Sequence, residues 1–447
     1  MKLGLIAMSG LRVHNQELAK LGLTLPGFIE RKKVIASLPS LGLLTLAGLT
    51  PPDVDSKYIE LSEFNIDSVL PDEFDVVAIS SFTAQINSAY RLADKYREQG
   101  VKVILGGLHV TSLPNEALKH ADAVLLGEGE VYWNQIINDI NNGELKNVYD
   151  ARNIEFDFRQ SPIPRYEMLD INKYNRLTVQ TQRGCPFKCE FCASSIKLTY
   201  NYKIKPIHNI VNEILAIKSI WKKPFIELAD DNTFVNKAHS KRLINALSSL
   251  DVKWFTETDI SVAEDAELLS MLSDSGCRQL LIGFESPTVQ GLHNLELKSN
   301  WKEKQLDKYK EAIQKIQNKG VSVNGCFILG LDDQESSVFD EILDFVKESG
   351  LSEVQVTIQT PFPGTELYKR LKNTNRLLEL ECWDKCTLFD VTYHPNRMTV
   401  NELETGFRYL MKKLYSDDLV HSRKEQFIRQ AKVANKTSNT YEPSSRQ

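Results

Sequence analysis

Short apolar and β-branched runs alternate with amphipathic segments along two separate stretches of this sequence, and this alternation strongly restricts the fold. In the first third, helical patterns at residues 84–99 and 131–141 lie between or after five predicted strands, at residues 2–7, 57–61, 75–80, 101–105 and 123–126. Strands that alternate with helices form doubly wound parallel sheets, which predicts an α/β fold class. Ligands of such sheets bind at the carboxyl ends of the strands.

A second alternation begins after a connector in which the periodicity fades. Six predicted strands follow, each but the last with a helix-like segment after it, at residues 177–181, 225–229, 253–258, 279–284, 321–328 and 353–360. Six consecutive strand and helix units predict a partial (β/α)6 barrel whose site lies at the carboxyl ends of its strands. We therefore predict a Rossmann-like domain, a linker, the partial barrel, a helical C-terminal extension and a disordered polar tail, at residues 1–145, 146–174, 175–375, 376–430 and 431–447.

Length and charge exclude several classes of protein. The 447 residues are enough for two cores, and a net charge of -5 gives no broad basic surface for a nucleic-acid backbone. Residues 34–52 carry no charge, but prolines and glycines interrupt them, so we expect a buried helix at 41–49 and no transmembrane segment. Peripheral contact with a membrane stays open. The first apolar run is too short for a signal peptide, which together with seven cysteines predicts a cytoplasmic chain with reduced thiols.

Three cysteines follow the first strand of the predicted barrel: Cys185, Cys189 and Cys192. Their loop starts at the mouth of the barrel, so all three thiolates would face the site. Three ligands on a [4Fe-4S] cube leave one iron open, and an open iron is what a chelating cofactor needs. A zinc site is the alternative, but zinc sites mostly use a second ligand pair, which this sequence lacks at the expected distance.

The spacing Cys-x3-Cys-x2-Cys, with Phe191 before the last cysteine, resembles the motif of the radical S-adenosylmethionine (radical SAM) superfamily. In that superfamily the amino and carboxylate groups of S-adenosylmethionine chelate the open iron, and electron transfer releases a 5'-deoxyadenosyl radical. The resemblance implies contacts to S-adenosylmethionine at Phe191, Glu227, Asp230, Asp231, Glu285, Gly325 and Phe327. The segment 227–232 departs from the common Gly-Gly-Glu form, which leaves open which of its acidic residues acts.

Loops of the first domain at residues 80–83, 106–111 and 127–130 resemble those of the cobalamin-binding domain in cobalamin-dependent radical SAM enzymes. Glycines allow a corrin ring to approach the backbone closely, and hydroxyl groups bond its amide arms. The resemblance implies cobalamin contacts at Ser80, Ser81, Thr83, Gly106, Gly107, His109, Thr111, Gly127, Glu128 and Gly129. A domain that keeps this fold without the corrin is the alternative.

The Asp-x-His-x2-Gly motif, which supplies a lower ligand in other cobalamin methyltransferases, is absent from this sequence. The resemblance therefore implies cobalamin bound without a protein histidine below the metal. His109 is the only histidine in the three loops, and we interpret it as a hydrogen-bonding loop residue rather than an axial ligand.

The combined pattern is most similar to the class with hopanoid methylases and the anaerobic tetrapyrrole cyclase. It implies an enzyme that cleaves S-adenosylmethionine reductively and transfers a methyl group from cobalamin to an unactivated carbon of a small-molecule or lipid-like substrate. The electron would come from an external one-electron reductant such as flavodoxin or ferredoxin. One alternative is radical cyclisation, rearrangement or another modification, with cobalamin redox-active or absent, and another is a non-catalytic iron-sulfur electron-transfer or binding protein.

Four cysteines lie outside the motif. Cys277 and Cys326 are in apolar segments, and we expect both to be buried as small hydrophobic residues. Cys382 and Cys386 are too few to hold a further cluster, so we expect them to shape the open side of the barrel. Trp383 is a candidate for the substrate pocket, with an aromatic core contact as the alternative.

Overall fold

Two separate parallel sheets dominate the computed structural model, which describes residues 1–9, 38–193 and 201–438. The first sheet has the order β2-β1-β3-β4-β5-β6, formed by β1 (Lys2–Met8), β2 (Asp55–Leu61), β3 (Val76–Ser81), β4 (Lys102–Gly106), β5 (Ala123–Leu126) and β6 (Val148–Asp150). Every neighbouring pair of strands is parallel. The strand order reverses between β1 and β3, which is the switch point at which such sheets bind ligands.

Helices cover both faces of the first sheet: α1 (Leu41–Leu49), α2 (Ile86–Glu98), α3 (Leu108–Ser112), α4 (Pro114–Ala117) and α5 (Trp133–Asn141). Side chains alternate across each strand, so that Ile6 packs with α2 in one core and Leu5 packs with α1 and α5 in another. Because both faces are buried, the strands are nearly continuous apolar runs, and the predicted doubly wound sheet is confirmed.

The uncharged segment forms α1, the buried helix expected at residues 41–49. Ser40 caps it by accepting a hydrogen bond from the backbone N–H of Leu43. Leu43 packs in the core of the first sheet, whereas Leu44 packs in the core of the second. A helix buried between two cores needs no polar face, which explains the missing charge. Among the described residues, no helix combines the length and apolarity needed to cross a bilayer.

Eight strands follow: β7 (Leu177–Val179), β8 (Gln182–Arg183), β9 (Lys203–Ile204), β10 (Phe225–Leu228), β11 (Lys253–Thr258), β12 (Cys277–Glu285), β13 (Ser322–Leu329) and β14 (Glu353–Ile358). β7 and β10 to β14 form a parallel sheet in chain order, and β8 pairs with β9 in an antiparallel ribbon. In the described part of the chain, the sheet is an arc with edges at β7 and β14. The predicted partial barrel is therefore confirmed.

The helices that accompany this second sheet are α6 (Ile207–Ile220), α7 (Lys237–Ser248), α8 (Ala266–Asp274), α9 (Val289–Leu292), α10 (Trp301–Lys304), α11 (Tyr309–Gln317), α12 (Val338–Ser349) and α13 (Glu366–Asn373). Phe284 and Phe327 pack against Phe345 of α12, so these two strand positions face the helices. Side chains alternate along a strand, so Cys326, which precedes Phe327, faces the opposite, concave side of the sheet. We call this side the inner face.

Two further helices, α14 (Val400–Leu414) and α15 (Asp417–Ser438), follow the second sheet. The predicted helical pattern after Thr399 is confirmed, and Thr399 and Glu402 form a capping box at the start of α14. α14 packs against α12, where Gly406 leaves room for the ring of Phe339.

Two predicted boundaries differ from the structure. β6 joins the first sheet although it lies in the predicted linker, which was expected to start at residue 146. α15 continues to Ser438, into the stretch 431–447 predicted as disordered, and residues 439–447 lie outside the described chain. A three-residue strand and a polar helix both give weak periodic signals, which explains the two differences. The other boundaries stay predictions.

Candidate active site

The cysteine loop leaves the second sheet directly after β7 and β8, at the carboxyl end of the strands. It carries three partly buried thiols, none of them in a disulfide: Cys185, Cys189 and Cys192. Cys189 forms an antiparallel bridge with Glu296, and the Leu297 N–H donates to the Lys188 carbonyl at 2.9 Å. The segment that follows β12 therefore holds the middle of the loop in place.

Glu190 ties the same loop to α13. Arg370 donates to both carboxylate oxygens of Glu190, at 2.6 and 3.0 Å, and to Asp332 at 2.6 Å. The Leu367 N–H donates to the Glu190 carbonyl at 3.0 Å. Because a bidentate guanidinium–carboxylate pair fixes orientation as well as distance, the loop is held from two elements.

The three thiols share one electrostatic environment. Burial raises the pKa of Cys185 to about 11 and the pKa of Cys189 to about 12, and the neighbouring Cys192 contributes to both increases. Asp231 adds to the increase in the pKa of Cys185, whereas Lys302 opposes it at Cys189. Thiolates that act on one another in this way are stabilised by nearby positive charge, which the irons of a cluster supply. The donor set therefore fits a [4Fe-4S] cluster.

Among the described residues, no three Cys, His, Asp or Glu side chains are grouped as the ligands of a single metal ion would be.

Asp230 and Asp231, which follow β10, have different surroundings. Asp230 is buried and accepts hydrogen bonds from the Thr181 N–H at 2.7 Å, the Gln182 N–H at 3.0 Å and the Thr233 hydroxyl at 3.0 Å. Burial raises the pKa of Asp230 to about 6. Its carboxylate holds the segment that leads into the cysteine loop, and its contact with S-adenosylmethionine stays a prediction. Asp231 instead lines the open cavity described below.

Glu285 and Lys302 form an enclosed ion pair at the end of β12. Lys302 Nζ donates to Glu285 Oε1 at 2.6 Å and to the Gly283 carbonyl at 2.7 Å. Burial opposes the charge of Lys302, but Glu285 and Cys189 hold the pKa of Lys302 above its usual value. Sequence reasoning missed Lys302, because helix α10, which carries it, has a charged pattern typical of a solvated face.

The inner face also carries Glu227 and Glu257. Glu227 pairs with the buried guanidinium of Arg176. Glu257 borders open space inside the arc, yet burial of its carboxyl and the neighbouring Glu227 raise the pKa of Glu257 to about 8. Sequence reasoning missed Arg176 and Glu257, although strand alternation from the buried Trp254 places Glu257 on the inner face.

Two residues of β13 that were predicted to contact S-adenosylmethionine, Gly325 and Phe327, face away from the inner face. The ring of Phe327 is fully buried beside Phe284, and a Cβ at Gly325 would meet Leu351 at 2.8 Å. The ring of Phe327 belongs to the core under the helices, and the predicted contacts of Gly325 and Phe327 with S-adenosylmethionine stay predictions. Phe191 lies in the cysteine loop and packs partly buried against that core, so its contact with adenine stays a prediction.

A cavity of about 590 Å³ lies between the carboxyl ends of the two sheets. On the side of the first sheet, its wall contains six predicted cobalamin contacts: Ser80, Gly106, Gly107, Gly127, Glu128 and Gly129. On the side of the second sheet, the wall includes Asp231 and Gly184, which precedes Cys185. One chamber therefore adjoins both predicted cofactor sites.

Glycine backbone forms much of the wall on the first sheet. Gly107 has φ +105°, and a Cβ there would lie 3.1 Å from the Ser80 hydroxyl oxygen. Gly127 has φ +77°, and a Cβ there would lie 3.0 Å from backbone atoms of Ala151 and Arg152. Such a wall lets a large ring approach the main chain closely, so the residues present fit a corrin.

Four predicted cobalamin contacts do not line this cavity: Ser81, Thr83, His109 and Thr111. His109 is buried, with Nδ1 3.4 Å from Thr83 Oγ1 and Nε2 3.1 Å from Glu116 Oε1. Thr111 Oγ1 accepts a hydrogen bond from the Gly127 N–H at 3.1 Å. Thr83, His109 and Thr111 thus support the loops from behind, and their contacts with the corrin, like that of Ser81, stay predictions.

Two carboxylates of the first sheet reach the residue that precedes the cysteine loop. Arg183 donates to Glu128 and to Glu130, in both cases at 2.7 Å. Lys203 of β9 donates to the second oxygen of Glu128 at 2.6 Å. Burial opposes ionisation of Glu130, but Arg183 holds the pKa of Glu130 below its usual value. Buried ion pairs therefore join the glycine-rich loop after β5 to the cysteine loop.

The four cysteines outside the motif lie either on the strands of the second sheet or in the C-terminal extension. Cys277 is fully buried, as predicted, but Cys326 is only partly buried and faces the inner face, so its predicted burial is wrong. Cys386 and Trp383 pack in the core of the first sheet, and Trp383 Nε1 donates to Glu116 at 3.2 Å. The extension therefore docks on the first domain, and Trp383 makes a core contact there.

Models of known protein families match the two sheet-containing parts of this chain separately. The Radical SAM superfamily matches residues 179–346, and the B12 binding domain matches residues 36–136. The chain therefore contains a radical SAM domain and a B12-binding domain. A domain of unknown function, DUF4070, matches residues 365–447. The cofactors implied by the two named domains are a [4Fe-4S] cluster, S-adenosylmethionine and cobalamin, as predicted.

Relatives of this radical SAM protein include methyltransferases. Bacteriochlorophyllide d C-12(1)-methyltransferase of Chlorobaculum tepidum is 27% identical over 82% of this chain and 82% of its own length. Hopanoid C-2 methylase of Rhodopseudomonas palustris is 23% identical over 75% of this chain and 65% of its own length. The predicted similarity to the class with hopanoid methylases is confirmed, and the radical SAM protein is an enzyme.

Solved structures share this fold, among them a methyltransferase. The radical S-adenosylmethionine methyltransferase TsrM from Kitasatospora setae, with cobalamin and a [4Fe-4S] cluster bound, aligns with a TM-score of 0.66. The alignment covers 97% of this chain and 99% of that chain at 12% identity. The likeness therefore extends over both sheets and the helical extension of the radical SAM protein.

Proposed function

We propose that this radical SAM enzyme transfers methyl groups from cobalamin to an unactivated carbon of a small-molecule or lipid-like substrate that contains a large ring system. The observation that supports this function is the single cavity between the two sheets, which adjoins the glycine wall and the cysteine loop together. When bound, the cluster supplies an electron for cleavage of S-adenosylmethionine, and the corrin supplies the methyl group.

The lining of the chamber supports an apolar substrate. Leu46, Ile79, Ile104 and Leu125 contribute to a wall in which apolar surface predominates. Such a wall excludes water from a reactive carbon and favours binding of a hydrophobic ring. The names of two relatives, a bacteriochlorophyllide methyltransferase and a hopanoid methylase, describe substrates of this kind.

Charged side chains at the mouth of the second sheet would hold and orient S-adenosylmethionine beside the cluster. Lys302 fixes the carboxylate of Glu285, and Arg176 fixes that of Glu227. Asp231 borders the chamber next to Gly184. Because an ion pair fixes the position of a carboxylate, these groups present fixed acceptors to the cationic and hydroxyl groups of the ligand.

The electron donor belongs to the same proposal. Reductive cleavage requires an external one-electron carrier such as flavodoxin or ferredoxin, which places the reaction in the cytoplasm. Binding of a reduced flavodoxin to the anaerobic enzyme, measured as a faster rate of 5'-deoxyadenosine formation than with a small chemical reductant, tests this step.

The function is tested by anaerobic reconstitution with iron, sulfide, methylcobalamin, S-adenosylmethionine and a tetrapyrrole or hopanoid substrate. Methyl transfer consumes one S-adenosylmethionine to restore the methyl donor and another in the radical step. Each methylated product should therefore accompany one S-adenosylhomocysteine and one 5'-deoxyadenosine, as measured by mass spectrometry. Formation of 5'-deoxyadenosine without S-adenosylhomocysteine would favour cyclisation or rearrangement, and absence of both would favour a non-catalytic role.

A further inference from the structure

The inner face of the second sheet carries a thiol for which the cofactor sites do not account. Cys326 of β13 pairs in register with Gly283 of β12 and Gln355 of β14. It precedes Phe327, whose ring faces the helices, so the thiol points to the opposite side. Cys326 is partly exposed there, whereas Cys277, at the start of β12, is fully buried.

Cys326 lies next to the predicted site for S-adenosylmethionine. A Cβ at Gly283 would collide with Glu285 Oε1 and lie 3.2 Å from Lys302 Nζ, so this ion pair covers Gly283 on the inner face. Neighbouring strands are about 4.8 Å apart, which places the ion pair one strand from Cys326. Lys302 acts electrostatically on the thiols of both Cys326 and Cys189. The thiol is therefore close to the mouth at which cleavage occurs.

Buried amides without partners lie on the same face. Asn324, two residues before Cys326, is 1% exposed, and within the described structure neither its Oδ1 nor its Nδ2 has a hydrogen-bond partner. Oε1 of Gln355, the register partner of Cys326, is unpartnered in the same sense. A buried polar atom left without a partner costs about 1–3 kcal/mol, so such atoms indicate a ligand that completes them. The face around Cys326 is therefore suited to a polar ligand group.

The thiol of Cys326 keeps its proton at neutral pH. Burial, together with Glu257 and Glu285, raises the pKa of Cys326 well above its usual value. A protonated thiol has a weaker bond to hydrogen than an alkyl carbon has. Transfer of a hydrogen atom from this thiol to an alkyl radical is therefore favourable.

We propose that Cys326 donates a hydrogen atom to carbon radicals formed at the mouth of the second sheet, with Asn324 and Gln355 binding the polar part of the radical-bearing ligand. The inference rests on the cleavage step of the proposed function. The S–H bond of Cys326 breaks homolytically, and a C–H bond forms on the ligand. One electron from the external one-electron reductant and one proton from solvent then restore the thiol. The donor thus converts radicals that have not accepted a methyl group into closed-shell products.

The test is cleavage of S-adenosylmethionine in D2O without substrate. Because a thiol exchanges its proton with solvent, 5'-deoxyadenosine from the unmodified enzyme should carry one deuterium. Cys326→Ala should lower the deuterated fraction by about tenfold or more while 5'-deoxyadenosine still forms. Cys277→Ala, which changes a cysteine on the neighbouring strand that is fully buried, is the matched control and should leave the deuterated fraction unchanged.

Two outcomes overturn this proposal: no deuterium in the product of the unmodified enzyme, or an undiminished deuterated fraction with Cys326→Ala. If no variant forms 5'-deoxyadenosine, the proposed function fails and the inference falls with it. The total amount and the isotope content of the product therefore report separately on the two proposals.

A measurement without turnover tests the location of the thiol. Bound S-adenosylhomocysteine should slow labelling of Cys326 by a maleimide in the anaerobic holoenzyme, as followed by peptide mass spectrometry. Cys382, which is partly exposed in the extension, should be labelled equally with and without the ligand. Equal labelling of Cys326 under both conditions would contradict its position beside the site.

Discussion

The two sheets border one cavity with edges that differ in chemical character. The first sheet presents mainly glycine backbone and apolar side chains, as at Gly107 and Ile104, and its Glu128 is paired with Arg183, whereas the second presents charged groups such as Asp231. A backbone wall accommodates a large rigid ring through shape, and a charged wall positions a small cationic ligand through directed contacts. Shape and charge thus divide the binding of two cofactors between two domains.

The difference extends to how each edge is supported. Behind the first edge, Thr111 holds the glycine loop after β5 through a single hydrogen bond, and within the first domain this support is neutral; its ion pairs, from Glu128 and Glu130, run to Arg183 of the second domain. Behind the second edge, ion pairs such as Glu285–Lys302 and Glu190–Arg370 hold the loops. Substitutions on the two sides should therefore have separable effects on corrin binding and on radical formation.

The largest effect is expected from removal of one cluster ligand. Cys185→Ala should abolish assembly of the [4Fe-4S] cluster and lower 5'-deoxyadenosine formation by more than about a thousandfold, because a cube held by two thiolates is not retained. Iron content and the visible spectrum measure the cluster, and corrin absorbance after gel filtration measures cobalamin. If Cys185→Ala lost cobalamin as well as the cluster, the two cofactor sites would not be independent.

A smaller effect, on corrin binding and not on the cluster, is expected at Gly42 of α1, which lines the cavity. Among the described residues, no atom outside its own helix lies within 4 Å of the position of an added Cβ. Gly42→Phe should fill the chamber and weaken corrin binding by about tenfold or more, while 5'-deoxyadenosine still forms. Equilibrium titration of the anaerobic protein with cobalamin provides the measurement.

Gly42→Ala is the matched control, since it adds one carbon to the same helix position. It should leave corrin binding nearly unchanged and raise the free energy of unfolding by about 0.5–1 kcal/mol, because glycine is unfavourable inside a helix. Weakened binding with Gly42→Ala would place the effect in the helix rather than in the chamber.

The smallest effect concerns the pH dependence of stability. Burial and neighbouring carboxylates raise the pKa of Glu257 from 4.5 to about 8, so in this range the folded chain holds a proton that the unfolded chain has released. Stability should therefore fall as pH rises from about 4.5 to about 8. Glu257→Gln should flatten the fall of Tm over this window in the cofactor-free protein. Glu311→Gln, at an exposed ion pair on α11, should retain the slope of the unmodified chain.

Most of the fold follows from features that a sequence displays directly. All six strands of the second parallel sheet were predicted, because both the apolar runs and their spacing are regular. Where the predicted bounds differ from the observed ones, they differ only at the strand ends. The helix α1 was predicted from the absence of charge between prolines. β6 was not, because three residues carry too little periodic signal to compete with the surrounding polar sequence.

Side-chain roles at the site were harder to predict than the positions of the loops. Asp230 and Asp231 are adjacent, yet one is buried beneath the cysteine loop and the other borders the cavity, and only tertiary structure separates them. Phe327 was assigned to the cofactor although strand alternation from Cys326 places its ring under the helices. Glu257 was missed because no local motif surrounds it, and its pKa depends on carboxylates from other strands.

Arg183 has a consequence for the order in which the enzyme matures on the ribosome. Its two acidic partners, Glu128 and Glu130, belong to the domain that is translated first. Both acidic partners of Arg183 are therefore synthesised before Cys185 leaves the ribosome. Iron would then bind to a loop whose preceding residue, Arg183, is already held by ion pairs. If the first domain failed to fold, the thiols would lie on a segment without this support.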